Sequence, residues 1–156
     1  MKYAIFKTIA QNKKAFHDYS VLEKLEAGIE LCGTEVKSLR QGRVNLKDSW
    51  CSVNEKSMEL FVHRMHISPY EKGNIFNKDP VRARRLLVHK SQISRLFGSV
   101  KKEGYTIVPL LLYFKGSLVK MQIGVCKGKK LFDKRKALAE KEANRKIQRS
   151  IKEFNR

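Results

Sequence analysis

His63 and His66 stand three residues apart, and Glu23, Glu26, Glu30 and Glu35 crowd into one short stretch. A histidine pair shares a metal when both rings reach one side of the chain. Residues three apart in a strand point to opposite faces, so this pair needs a bend to do so. Carboxylates work as general acid and base when an apolar cleft separates their protonation states. Three of these four lie on the polar face of a strand-like stretch beside lysines, where the default is a solvated or ion-paired group. Cys32, Cys51 and Cys126 are odd in number, widely separated and free of any Cys-x-x-Cys spacing. They suggest neither a disulfide framework nor a zinc site, and read as small buried hydrophobes in a reducing compartment. A glycine-rich phosphate loop and a nucleophile elbow are both missing from the sequence. The expectation is a protein that is not an enzyme and that holds no cofactor or metal.

The side chains that remain are cations. The formal net charge is +19 over 156 residues. Residues 127–156 carry twelve Lys and Arg against four Asp and Glu, leaving +11 on residues 1–126. A body and a tail that are each basic associate with a polyanion through counterion release. Basicity names the class of partner and no particular member of it. Within the tail, Ala139, Ala143, Ile147, Ile151 and Phe154 recur at spacings of four, four, four and three. That is one helical stripe inside a self-repelling segment, which predicts a tail disordered in isolation and helical when laid against RNA. A terminal helix docked on the body's own core, or one lying on a membrane surface, shares the pattern, and the scarcity of bulky residues on the stripe weakens both.

The body must position these charges. Residues 19–31 alternate, with Tyr19, Val21, Leu25, Ala27, Ile29 and Leu31 on one parity, which predicts a strand; Gly28 within it permits a bulge or sharp bend. Gly33-Thr34 reads as the N-cap of a short helix over Glu35 to Gln41, closed by Gly42. Residues 46–53 and 58–67 read as two further strands, residues 69–80 as a long polar loop, and Leu86-Leu87-Val88 as a short buried strand. Ser91 is the expected cap of a helix carrying Ile93, Leu96, Phe97 and Val100, with Gly104 beyond its end. Thr106 to Phe114 and Val119 to Val125 flank Lys115-Gly116-Ser117 as a hairpin. Short strands interrupted by small helices predict a mainly β fold, a closed antiparallel β-barrel of oligonucleotide-binding type with short helices. The expected organisation is a barrel over 1–126 and a basic C-terminal tail over 127–156. No apolar run approaches the roughly twenty residues that span a bilayer, and the first residues lack a signal-peptide core. A cytoplasmic protein with no membrane partner is expected.

Six segments are distinctive in residue order as well as basic: Asn12 to Tyr19, Glu26 to Ile29, Gly33 to Arg40, Asn45 to Ser49, Arg84 to Lys90 and Gly128 to Arg135. Together, and in this order, they resemble the family of SsrA-binding proteins, small protein B. The resemblance runs from about Asn12 into the tail and implies an oligonucleotide-binding barrel with a tail disordered in solution. It also implies a role in trans-translation. The family binds the tRNA-like domain of transfer-messenger RNA, helps elongation factor Tu deliver the charged RNA to a stalled 70S ribosome, and reaches the decoding region and mRNA channel.

On that resemblance, Asn12, Lys13, Lys14, His17, Glu26 and Leu87 contribute to the RNA surface, Asn12 through its amide and the lysines through phosphates. A carboxylate such as Glu26 repels phosphate, so it either accepts from base or 2′-hydroxyl donors or positions a neighbouring lysine. Leu87 presents an apolar surface to a splayed base or is a core leucine. Lys37, Arg40 and Arg43 follow the short helix as phosphate contacts or as its solvated face, and Arg84 and Arg85 join the RNA-binding set. Lys129 and Lys130 lead the chain out along RNA, while Phe132, Asp133, Lys134 and Arg135 match the family's ribosome contact. Phe132 stands where relatives often carry tyrosine or histidine, which preserves stacking and removes a side-chain hydrogen bond.

Overall fold

The computed structural model describes residues 6–128 and 131–154. In chain order it forms β1 (Phe6–Gln11), α1 (Lys13–Asp18), β2 (Tyr19–Ile29), α2 (Gly33–Arg40), β3 (Val44–Asn45), β4 (Trp50–Asn54), β5 (Glu59–His63) and β6 (His66–Ile67). A 3-10 turn at Asn74–Phe76 follows, then β7 (Arg84–Leu87), α3 (Lys90–Glu103), β8 (Thr106–Lys115), β9 (Leu118–Gly128) and α4 (Leu131–Phe154). The body is mainly β with short helices between its strands. Seven strands join in the order β1-β8-β4-β5-β7-β2-β9, and β9 pairs with β8 as well. The pairings therefore run in a ring of six strands with β1 alongside. Strand β8 accommodates three neighbours by dividing one edge: Ile107 lies opposite Cys51 of β4, and Leu111 to Lys115 lie opposite β1. Every pairing is antiparallel.

Alternation decides what the ring encloses. Leu60 and Val62 of β5, Leu86 of β7, Leu112 of β8 and Met121 and Ile123 of β9 are almost fully buried in one cluster, joined by Ile93 and Leu96 from α3. Each such side chain removed from water contributes roughly 1.5–3 kcal/mol. A smaller cluster of Ala15, Val108, Leu110 and Cys126 packs under α1.

The structure departs from the sequence reading at several junctions. β1 and α1 carry no clear period and were not expected as elements. The bulge in β2 lies between Val21 and Glu23 and not at Gly28. Gly28 has strands on both sides, opposite Lys120 and Leu87, and a Cβ there would stand 3.3 Å from the Cβ of Leu87. The N-cap of α2 is Cys32 and not Gly33-Thr34, because the Glu35 carboxylate accepts from the Cys32 N–H at 2.9 Å. His89 caps α3 in place of Ser91, its N–H donating to Gln92 at 3.2 Å. Residues 46–49 turn, with Asp48 at φ 62°, and Arg64 at φ 61° divides the expected 58–67 strand in two. β9 runs on to Gly128, so Lys127, grouped with the tail by charge, is strand. α4 is a continuous helix whose described side chains are exposed, Leu138, Ile147 and Ile151 included. It is not a terminal helix buried in the core.

Candidate nucleic-acid interface

Alternation along β2 turns Glu26 outward opposite Gln122 of β9. Tyr113 of β8 donates its hydroxyl to the Glu26 carboxylate, and Lys115 Nζ approaches Oε1 at 3.4 Å. The tyrosine hydrogen bond, against some burial and with help from Lys115 and Lys120, holds the Glu26 carboxyl below its ordinary value. Burial and the neighbouring carboxylate push the Tyr113 hydroxyl up, keeping it a donor. A groove of about 440 Å³ begins here, lined by Glu26, Gly28, Leu87, His89, Gln92 and Lys120. Leu87 is 46% exposed while its neighbour Leu86 is buried. Of the two readings of Leu87, the apolar surface is the one realised. The carboxylate holds a lysine and a tyrosine in place and stays partly open to solvent, so the groove offers acceptor, cation and apolar wall together.

Asn12 is elsewhere. It is buried, and its amide is spent: Oδ1 accepts from the Ala15 N–H at 3.2 Å, and Nδ2 donates to Pro109 O at 2.9 Å and Leu46 O at 3.3 Å. The expected direct contact of Asn12 with RNA is corrected: its amide caps α1 and ties it to β8. Lys13 is exposed on that helix, Lys14 is paired with Asp48 at 2.8 Å, and half-exposed His17 meets Asp18 at 3.0 Å.

Arg84 is the second correction, being fully buried. Glu35, also buried, sits 2.6 Å from Arg84 and 2.5 Å from Arg82. Arg84 further donates to the carbonyls of Met65 at 2.7 Å, Pro80 at 3.1 Å and Arg82 at 3.2 Å. Burial alone raises the Glu35 pKa, and the hydrogen bonds from Arg82, Cys32 N–H and Arg84 overcome it and hold the carboxyl below its ordinary value. This cluster clamps α2 to the segment entering β7, a structural task that a buried guanidinium performs only when fully hydrogen-bonded. Arg85, next along the strand, is exposed beside Glu59 at 3.2 Å and Glu30 at 3.6 Å. On α2, Ser38 and Leu39 are buried while Lys37 and Arg40 share the exposed face; Lys37 lies over the Tyr70 ring, and Arg43 reaches Glu71 at 3.4 Å.

Lys129 and Lys130 lie outside the described residues. Phe132, Asp133 and Lys134 belong to α4 by backbone, with side chains outside the described set, and Arg135 is exposed. The structure thus brings Glu26 and Leu87 into one groove, sets the exposed face of α2 apart from it, and removes Asn12 and Arg84 from the surface. Lys120 also lines the groove, while Tyr113 and Lys115 fix Glu26 at its edge; the sequence does not single them out, since Tyr113 is 87 residues from Glu26. Only the hairpin's alternation hinted at them. His63 and His66 fall on different strands, and among the described residues no cluster of three or more metal-ligating side chains occurs. Among the described residues no helix is long and apolar enough to cross a membrane.

The model of the SmpB protein family matches residues 9–153. An SsrA-binding protein of Caldanaerobacter subterraneus subsp. tengcongensis is 57% identical over 147 residues, covering 94% of this chain and 92% of that one. One from Clostridium perfringens is 56% identical over 150 residues, covering 96% and 95%. Among solved structures, a chain of "tmRNA-SmpB: a journey to the center of the bacterial ribosome" superposes with a TM-score of 0.65 at 46% identity, covering 78% of this chain and 85% of that one.

Proposed function

This chain belongs to the SmpB protein family, and from that premise we propose that it binds the tRNA-like domain of transfer-messenger RNA and brings that RNA to stalled ribosomes for trans-translation. The observation that carries this reading is the groove in which Glu26, fixed by Tyr113 and Lys115, stands beside exposed Leu87 on a strongly basic body. A general phosphate binder needs neither a positioned carboxylate nor an apolar wall. Both suit recognition of unstacked bases and 2′-hydroxyls. Lys13, Lys14, His17, Lys37, Arg40, Arg43 and Arg85 serve as contacts to the RNA backbone elsewhere on the body, with Lys129 and Lys130 continuing them. Asn12 and Arg84 act from beneath, holding α1 and α2.

The ring of strands is read as an oligonucleotide-binding barrel and the chain beyond Gly128 as a separate unit. In that unit Phe132, Asp133, Lys134 and Arg135 meet the decoding region. A helix of 24 residues is about 36 Å long and fits the mRNA channel only while no mRNA fills it, so the tail reports an empty path. Elongation factor Tu accompanies the delivery complex in this reading, and the protein works in the cytoplasm as a binding protein rather than a catalyst. Deleting residues 131–156 tests the division of labour: affinity for transfer-messenger RNA should persist and tagging on stalled ribosomes should disappear. Loss of RNA affinity on truncation refutes it. Competition at moderate salt tests the partner. The tRNA-like domain should outcompete unrelated RNA by orders of magnitude, and parity would instead indicate a general RNA-binding module of the translation machinery.

A further inference from the structure

A second cavity, of about 390 Å³, opens where α1 meets the turn before β4, lined by Lys14, Asp18, Asp48, Trp50, Arg64 and Thr106. Tyr19 also borders it, and Glu26 lies seven residues further along β2, about 23 Å at strand rise, so this is a different site from the groove. Trp50 is the single tryptophan of the chain and is 43% exposed. Its ring stacks on His63 with centroids 4.4 Å apart and planes inclined by 23°, and His63 shares a 2.6 Å hydrogen bond with Ser52. The indole is therefore held in one orientation, with one face covered.

Two neighbours in the lining, Asp48 and Arg64, have left-handed backbone at φ 62° and 61°. Asp48 adopts it within the turn closed by Ser49 N–H on Leu46 O, and Arg64 where the chain passes from β5 to β6. Lys14 bonds Asp48 through Oδ1, and Lys47 and Arg64 also stand near that carboxylate. A flat aromatic platform, a carboxylate acceptor and flanking cations are complementary to the three parts of a nucleotide: base face, amino edge and phosphate.

We propose that this cavity takes one unstacked purine nucleotide of an RNA chain. The base lies on Trp50, its amino edge donates to Asp48, and its phosphates rest on Lys14 and Arg64. An acidic peptide would use the cations and leave both the indole platform and the acceptor idle.

Because Trp50 is the single tryptophan, its emission reads this cavity directly. Titration of the full chain with RNA hexanucleotides of adenosine and of uridine should give saturable quenching, tighter for adenosine. Asp48→Asn and Arg64→Gly both tolerate the left-handed backbone and should each weaken the adenosine hexanucleotide about tenfold. With a fluorescently labelled hexanucleotide followed by anisotropy, Trp50→Ala should lose affinity and Trp50→Phe keep most of it. Glu26→Ala, in the other groove, should leave the quenching in place, so failure of one site is read separately from failure of the other. Absence of saturable quenching, equal affinity for the two hexanucleotides with no loss in Asp48→Asn, or matching quenching by inorganic phosphate or polyglutamate would each overturn the assignment.

Discussion

Replacing Glu35 by glutamine keeps the shape of the side chain and removes the charge that Arg82 and Arg84 share. In the native protein that carboxylate is 5% exposed and Arg84 is wholly buried, so the variant leaves a guanidinium in the interior without its counter-ion. Breaking a buried pair from one side typically costs about 3–5 kcal/mol. The lower end applies here, about 3 kcal/mol, because Arg84 keeps three carbonyl partners and Arg82 is partly solvated. For a chain of this length that corresponds to a fall in Tm of about 6–12 °C. The dependence on pH supplies the control. Glu35 has a folded pKa below its ordinary value of 4.5, so its contribution is present above that value and is lost as pH falls through the folded pKa. Urea unfolding of both proteins near neutral pH should show the full gap. Well below the folded pKa, where the native carboxyl is protonated and resembles the amide, the gap should close. A difference under about 1 kcal/mol at neutral pH, the range of surface ion pairs, or a gap unchanged in acid, refutes the reasoning.

Tyr113→Phe should let the Glu26 carboxyl rise toward its ordinary pKa, readable by NMR titration, and should weaken affinity for the tRNA-like domain several-fold; an unmoved Glu26 contradicts the coupling. Two neighbours on α1 should separate cleanly. Lys13→Ala should reduce the salt slope of RNA binding by about 0.7–0.9 with little change in stability. Asn12→Ala should destabilise the fold by about 2 kcal/mol in urea unfolding, through a lost cap and the lost bond to Pro109 O, while Leu46 O keeps its bonds from Ser49. The reverse pattern would restore Asn12 to the RNA surface.

Sequence alone determined whatever depends on neighbours along the chain. The period of two over residues 19–31 and 119–125, the apolar run over 106–114, the helical spacing of Ile93 and Leu96 and the turn at Gly116 all reappear as β2, β9, β8 and α3, because burial of one face imposes a period and burial of consecutive residues an unbroken apolar run. The charge of body and tail is likewise a property of composition. Tertiary structure decided the rest. Asn12 and Arg84 joined the expected RNA surface on the resemblance of their segments, and only the packing of α1 on β8 and of α2 on the entry to β7 shows that their hydrogen bonds are already filled. The Glu26–Tyr113 pair spans 87 residues and exists because β9 brings β2 and β8 to either side of itself. Trp50 became a platform when β5 placed His63 against it. Contacts between distant residues carry no local period, so the chain's own order leaves no trace of them.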